Sequence, residues 1–193
     1  AARSGIPPRR PNGMNRHGVI LDDDVDGAVS LPALTGFVNS LVDEIVRPLG
    51  RALFPADAGM ADDAEYFAFT IRYSENEDVE LREHRDASVF TLNVNLNLPE
   101  EGYGGSALYF VDPSDASNRY EVEFEPGMAL LHRGALRHAA LPIKGGTRQN
   151  LVIWLFGKGG DVRIAPYAEE EQLSVTERWG KDTFSSSWWK QAL

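Results

Sequence analysis

The stretch VFTLNVNLNL, residues 89–98, sets Leu92, Val94, Leu96 and Leu98 on one parity and Thr91, Asn93, Asn95 and Asn97 on the other. Successive side chains of a strand point to opposite faces, so this reads as a strand with one apolar face and one polar, uncharged face. A face open to bulk solvent ordinarily carries Lys, Glu or Arg. Hydroxyls and amides suit a wet, confined cavity such as a cofactor pocket, the competing reading being an exposed asparagine ladder.

Working outward, similar short runs surround it: YFAFTIRYS (66–74), ALYFV (107–111), YEVEFE (120–125), MALLH (128–132) and QNLVIWLFG (149–157). Turn residues separate them at GYGG (102–105), DPSDASN (112–118), EPG (125–127) and KGG (144–146), and DPSDASN reads as a hairpin loop. One helix is expected over 31–53, where Leu34, Phe37, Val38, Leu41, Val42, Ile45, Val46 and Leu49 form an apolar stripe. Ser30 would cap it, and Pro48 would kink it or mark its last turn. Short strands behind one long helix predict a mainly β fold with flanking helices, an antiparallel barrel or jelly roll. No repeat is visible. The expected layout is a single domain, with an extended arm (1–16), a helix-plus-barrel core (17–160) and a covering segment (161–193) that shelters Trp179, Trp188 and Trp189.

At 193 residues, 42% hydrophobic and 25% charged, the composition is that of an ordinary globular domain. No apolar run approaches the roughly 18 residues of a membrane span. AARSGIPPRRPNGMNRHG has no apolar core of a secretory signal, and the missing initiator Met points to a processed chain or an excised domain. With zero cysteines, disulfides, thiolate zinc sites, iron–sulfur clusters and cysteine nucleophiles are excluded, so any metal has nitrogen and oxygen ligands. A net charge of −10 argues against a nucleic-acid binder. The basic Arg3, Arg9, Arg10 and Arg16 read as a surface-laid or disordered arm. A soluble monomer in a reducing compartment such as the cytoplasm is compatible with all of this.

Four histidines are present, at 17, 84, 132 and 138. In LREHRDASVF (81–90), His84 and Asp86 would share a strand face while Arg85 points away. One further histidine would complete the 2-His-1-carboxylate set that holds non-haem Fe(II) with open positions. H-x-D alone is weak; the second half of the chain strengthens it. His138 is followed ten residues later by Arg148, after the turn KGGT, and a planar guanidinium there could clamp an acidic cosubstrate. His138 is therefore preferred as ligand, and His132 is read as structural or as a partner of a metal-bound group. By parity Arg148, Asn150, Val152 and Trp154 share a face, so Asn150 joins Thr91 and Asn93 as a candidate lining of the cofactor pocket.

Rival motifs fail. HRD opens the kinase catalytic loop, but Thr91 stands where that loop needs Asn. DDDVDG (22–27) begins like a calcium loop, but Ala33 occupies the position of its closing Glu, which leaves a solvated acidic turn. No histidine follows SSSWW to activate a serine.

In combination, RPNGMNRHGVILDD (10–23), DVELREHRDASVFTLNVNLN (78–97), GYGGSALYF (102–110) and PGMALLHRGALRHAALPIKGGTRQNLVIWL (126–155) resemble the 2-oxoglutarate and Fe(II)-dependent oxygenases of the prolyl 4-hydroxylase type. Within them, the pattern is most similar to the group called 2-oxoglutarate and iron-dependent oxygenase domain-containing protein 2 and its plant relatives. The resemblance covers roughly 10–157. It implies a double-stranded β-helix, Fe(II) on His84, Asp86 and His138, and Arg148 on the distal carboxylate of 2-oxoglutarate. It also implies a cosubstrate contact from the Tyr73 hydroxyl, for which a core tyrosine is the alternative. The implied reaction consumes O2 and 2-oxoglutarate, aided by ascorbate, and hydroxylates a substrate with release of succinate and CO2. A peptidyl side chain is the first expectation for that substrate, a free amino acid or small metabolite the second. The competing class is a jelly-roll module that binds metal or ligand without turnover.

Overall fold

The two longest apolar runs become the two longest strands, β2 (Ala64–Ser74) and β9 (Thr147–Lys158), paired antiparallel from end to end. The structure is a computed structural model and describes residues 11–23, 32–57 and 64–158. β2 and β9 lie inside a five-stranded sheet ordered β1 (Gly18–Asp23), β2, β9, β4 (Phe90–Asn95), β7 (Ala129–Arg133). A second sheet of four strands is ordered β3 (Leu81–His84), β8 (His138–Ala140), β5 (Leu108–Val111), β6 (Arg119–Val122). Every pairing within the two sheets is antiparallel, and the two sheets form the expected double-stranded β-helix. DPSDASN is the β5–β6 hairpin loop: Asp112 Oδ1 accepts from Ser114 N at 2.7 Å and Asp115 Oδ1 from Ser117 N at 2.9 Å, local bonds that bend the chain back.

The helical segment runs as α1 (Pro32–Leu41), a π turn (Val42–Val46) and α2 (Arg47–Leu53). Pro48 neither ends it nor stands alone as a kink. Proline lacks an N–H and crowds the carbonyl four residues back, and the π turn, closed by Arg47 N to Val42 O, makes room for it. The buried stripe is narrower than the sequence predicts. Val38, Val42 and Val46 pack on Phe90, Leu92, Leu151, Ile153 and Leu155, with Leu34 and Leu41 at the margin. Phe37, Ile45 and Leu49 stay exposed, because a helix resting on a flat sheet covers only one row of its residues. The segment's far end is tied down by an ion pair of 2.6 Å between Arg133 Nε and Asp57 Oδ2.

With the helix on its outer face, β4 is covered on both sides. Leu92 faces the helix, while Thr91, Asn93, Asn95 and Asn97 are all buried on the other parity, which excludes the exposed asparagine ladder. Leu96 and Leu98 lie beyond the end of β4 and are exposed.

The acidic turn and the arm both need correction. Asp22 and Asp23 are the last residues of β1, in register with Ala68 and Phe67. Residues 11–17 are folded in: Asn12 and Asn15 are buried, and Asn12 Oδ1 accepts from Asn15 N at 2.7 Å. Asp78 Oδ2 then accepts from Arg16 N at 2.7 Å and His17 N at 3.0 Å. These side chains replace the ladder partners that a strand would supply. The Ser30 cap, Arg3, Arg9, Arg10, the rest of DDDVDG and the segment 161–193 with its three tryptophans lie outside the described residues. Among the described residues, no helix is long and apolar enough to cross a membrane.

Candidate metal centre

β3 and β8 pair so that His84 stands opposite His138, with ring centroids 4.3 Å apart. Asp86 meets both: its Oδ1 lies 3.2 Å from His84 Nε2 and its Oδ2 3.7 Å from His138 Nε2. The ligand atoms of His84, Asp86 and His138 all fall within 4.8 Å of one another, a spacing suited to one ion.

Strand parity predicts this pair for the wrong reason. β3 stops at His84. Asp86 is turned inward by its own N–H, which donates to Gly134 O at 2.9 Å, and by Thr91 Oγ1, which donates to Asp86 Oδ2 at 2.6 Å. Arg85 is accordingly not an outward spacer; it is half-buried, and burial together with the nearby Arg137 pushes its pKa down. The approach depends on Gly134, where an added Cβ would lie 2.0 Å from Ser88 O. Gly134→Ala is therefore expected to cost about 1–3 kcal/mol of stability, as overpacking does, and to weaken metal binding by shifting the loop that carries Asp86. Urea unfolding and a metal titration measure the two; unchanged metal affinity would show that this contact does not set the carboxylate.

The protonation states suit a cation. Burial pushes the His138 pKa down to about 3, so the imidazole is neutral at neutral pH, as a metal ligand must be. Burial pushes Asp86 up, but His138, His84 and His132 together pull it below the ordinary carboxylate range. His84 Nδ1 lies 2.8 Å from Arg82 O and His138 Nδ1 2.9 Å from Leu136 O. Each Nδ1 is thus the donor, and each Nε2 is left facing the carboxylate. His132, on β7, lies in the same chamber rather than in remote structure, with its ring 4.6 Å from that of His138.

Arg148 on β9 stands opposite Tyr73 on β2 and is 0% exposed. Its Nη1 donates to Ser106 O, and its guanidinium carbon sits 4.6 Å from the Tyr73 ring centre. Nε and Nη2 have no hydrogen-bond partner among the described residues. Burial lowers the Arg148 pKa, while the neighbouring Tyr73 and Tyr103 raise it. The carbonyl of Ser106 is aimed by an unusual turn: Ser106 itself has φ 60°, after Gly105 at φ 66°, where a side chain would be strained.

The other sequence candidates fall on this interior face with different partners. Thr91 bonds the Asp86 carboxylate and Ser88 Oγ, so it supports a ligand atom rather than lining the pocket freely. Asn150 Nδ2 donates to Asn93 Oδ1 at 2.7 Å, leaving Asn150 Oδ1 without a partner. The Tyr73 hydroxyl accepts from Asn15 Nδ2 at 3.4 Å, a contact made by the folded part of the arm. Asn15, Tyr103 and Ser106 escape the sequence reading. The one signal for them is local: an Asn-x-x-Asn turn, and a serine directly after a Gly-Gly pair.

Residues 64–157 match the family described as the 2OG-Fe(II) oxygenase superfamily. The 2-oxoglutarate and iron-dependent oxygenase domain-containing protein 2 of Xenopus tropicalis is 34% identical over 194 residues, covering 95% of this chain and 51% of that protein. A procollagen-lysine,2-oxoglutarate 5-dioxygenase 1 of Rattus norvegicus is 36% identical over 111 residues, covering 54% of this chain and 14% of its own length. The chain thus spans about half the length of the Xenopus relative and a smaller share of the rat one. The crystal structure of a Pseudomonas putida prolyl-4-hydroxylase superposes with a TM-score of 0.55 at 19% identity, covering 82% of this chain and 80% of that one, a likeness of fold.

Proposed function

This chain belongs to the 2OG-Fe(II) oxygenase superfamily, and we propose that it acts as a 2-oxoglutarate- and Fe(II)-dependent dioxygenase that hydroxylates a peptidyl side chain. The residues fit both groups. Two imidazole nitrogens and one carboxylate oxygen, with no thiolate, are a donor set for Fe(II). A fully buried guanidinium with two N–H-bearing nitrogens lacking acceptors fits the carboxylate of a keto acid. That unsatisfied, buried Arg148 is the single observation that carries the reading, since leaving such a group unpaired is costly unless something else completes it.

When bound, iron and 2-oxoglutarate would supply the oxidising chemistry with O2 as the oxidant, one oxygen atom entering a C–H bond of the substrate and the other entering succinate as the keto acid loses CO2. The chain's share is placement. His84, Asp86 and His138 would hold the ion, with Thr91 steering the carboxylate. Arg148, propped on the Tyr73 ring, would fix the far end of the cosubstrate, and the Asn93–Asn150 pair would line the space between. The burial of Asp86, His138 and Arg148 limits the water that reaches them.

Support for a peptidyl substrate comes from the second sheet. Its cross-strand register sets His84, His138, Phe110 and Tyr120 in one row. The Phe110 ring stacks 5.6 Å from His138, and Tyr120 is 55% exposed at the rim. An aromatic row running from the metal centre to the rim suits a side chain presented from outside on a larger molecule. The name of the procollagen-lysine relative points the same way. The test is incubation with Fe(II), 2-oxoglutarate and ascorbate, first alone and then with a peptide library. Succinate is expected in both, and one peptide class should gain the mass of one oxygen atom. Absence of succinate at every iron loading would overturn the reaction; hydroxylation of free amino acids only would overturn the substrate class.

A further inference from the structure

We infer that Asn12 and Asn15 are positioning residues of the cosubstrate pocket: together they make the Tyr73 hydroxyl a hydrogen donor beside Arg148, ready for the distal carboxylate of a bound keto acid. This role rests on the 2-oxoglutarate reading above.

The direction of each hydrogen is set from the backbone outward. Asn12 Oδ1 lies 2.9 Å from Met14 N and 2.7 Å from Asn15 N, and a backbone N–H only donates, so that atom is the amide oxygen. The other end of the same amide is then Nδ2, which donates at 3.0 Å and fixes the atom it meets as Asn15 Oδ1. Asn15 is left to present its own Nδ2 to the Tyr73 hydroxyl, which accepts at 3.4 Å. With a lone pair engaged there, the phenolic hydrogen points elsewhere.

Two tyrosine hydroxyls border the Arg148 guanidinium, and they differ in where that hydrogen goes. Tyr103 accepts from Asn95 Nδ2 at 2.8 Å and gives its hydrogen to Phe124 O. Tyr73 is buried, its neighbours Asn15 Nδ2 and Arg148 can only donate, and its hydroxyl has no acceptor among the described residues. A buried donor left unsatisfied is costly. A carboxylate shared between Tyr73 and Arg148 would complete both groups.

The turn that carries the two asparagines is pinned against β2. Asp78 Oδ2 holds Arg16 N and His17 N, and Arg72 N donates to His17 O at 3.0 Å. Gly18 lets the chain lie this close, since an added Cβ would stand 2.0 Å from Thr70 O and 3.0 Å from Pro11 Cγ. Asn12 and Asn15 are thereby held in the interior beside Tyr73.

The test is 2-oxoglutarate affinity, measured by calorimetry with Mn(II) in place of iron, for the wild type, Tyr73→Phe, Asn12→Asp and the double variant. Asn12→Asp keeps an acceptor for both backbone N–H groups but turns the other end of the side chain from donor to acceptor. Asn15 must then rotate its amide and offer Oδ1 to Tyr73, which draws the phenolic hydrogen away from the cosubstrate. Tyr73→Phe and Asn12→Asp are each expected to bind 2-oxoglutarate about 10-fold more weakly with Mn(II) affinity unchanged. The double variant should bind no more weakly than Tyr73→Phe alone, because both changes remove one and the same bond. Wild-type affinity in either single variant would overturn the inference, and so would an Asn12→Asp loss that persists undiminished in the Tyr73→Phe background. A wild type that takes up Mn(II) but no 2-oxoglutarate would overturn the cosubstrate reading itself, and this role with it. Should Asn12→Asp lose its near-ultraviolet circular dichroism, Asn15→Asp decides by the same comparison, since it keeps the acceptor for Asn12 Nδ2 and sets an oxygen against Tyr73.

Discussion

Asp86→Ala is expected to lose iron and succinate production together. The carboxylate is the one anionic donor among His84, Asp86 and His138, and it is buried where water cannot replace it. Removing one partner of a buried, charged contact typically costs 3–5 kcal/mol, roughly a hundredfold to several-thousandfold in affinity. The loss should not reflect unfolding. In the metal-free protein His138, His84 and His132 favour the buried anion, so Asp86→Asn, which keeps the size and an acceptor for Thr91, is expected to melt somewhat lower than the wild type yet stay folded. Iron content after desalting, beside a thermal melt of the metal-free protein, separates the two effects. Stoichiometric iron in a folded Asp86→Ala protein would mean that the ion sits elsewhere.

Arg148→Met should produce the opposite pairing of effects. Its guanidinium is 0% exposed, with Nε and Nη2 lacking acceptors. In the absence of cosubstrate this is an incompletely compensated buried charge, and an apolar side chain of similar length relieves it. The melting temperature of the unliganded protein is therefore expected to hold or rise. 2-Oxoglutarate affinity should fall by about 30-fold or more, since a fully desolvated charge pair is worth about 2–5 kcal/mol. Metal binding should change little. 2-Oxoglutarate raises the melting temperature of a protein that binds it, so the wild type should shift and Arg148→Met should not. Arg148→Lys keeps the charge without the two-pronged geometry and should recover only a fraction. An Arg148→Met protein with a normal 2-oxoglutarate shift would end the assignment of this residue.

Which parts of this were legible in the sequence follows from how local each signal is. The parity of Thr91, Asn93, Asn95 and Asn97 predicted a closed polar face because the alternation is written in one strand. The same holds for the β5–β6 hairpin, whose Asp and Ser residues bond to their own neighbours. The pairing of Asp86 with His84 is legible, but not its cause nor the half-buried Arg85, because the turn after β3 depends on a distant residue, Gly134, whose missing side chain lets the two loops touch. The fold of residues 11–17 was missed because its anchors, Asp78 and Tyr73, lie some sixty residues away in sequence. β1 and β8 are short or polar enough to lack a periodic signature. Periodicity locates the helix but widens its buried face, since it marks apolar residues without saying how wide a surface receives them.

β4 and β9 each keep two unlike layers. Outward go Phe90, Leu92, Leu151, Ile153 and Leu155, under the helix; inward go Thr91, Asn93, Arg148 and Asn150, towards the metal. Robustness to heat and choice of chemistry are thereby written in separate, interleaved alphabets on the same strands. Substitutions at the outer parity act on melting temperature alone, and substitutions at the inner parity act on ligand as well. A lineage could exchange what it oxidises by drifting through the inner letters while the outer ones hold the barrel unchanged.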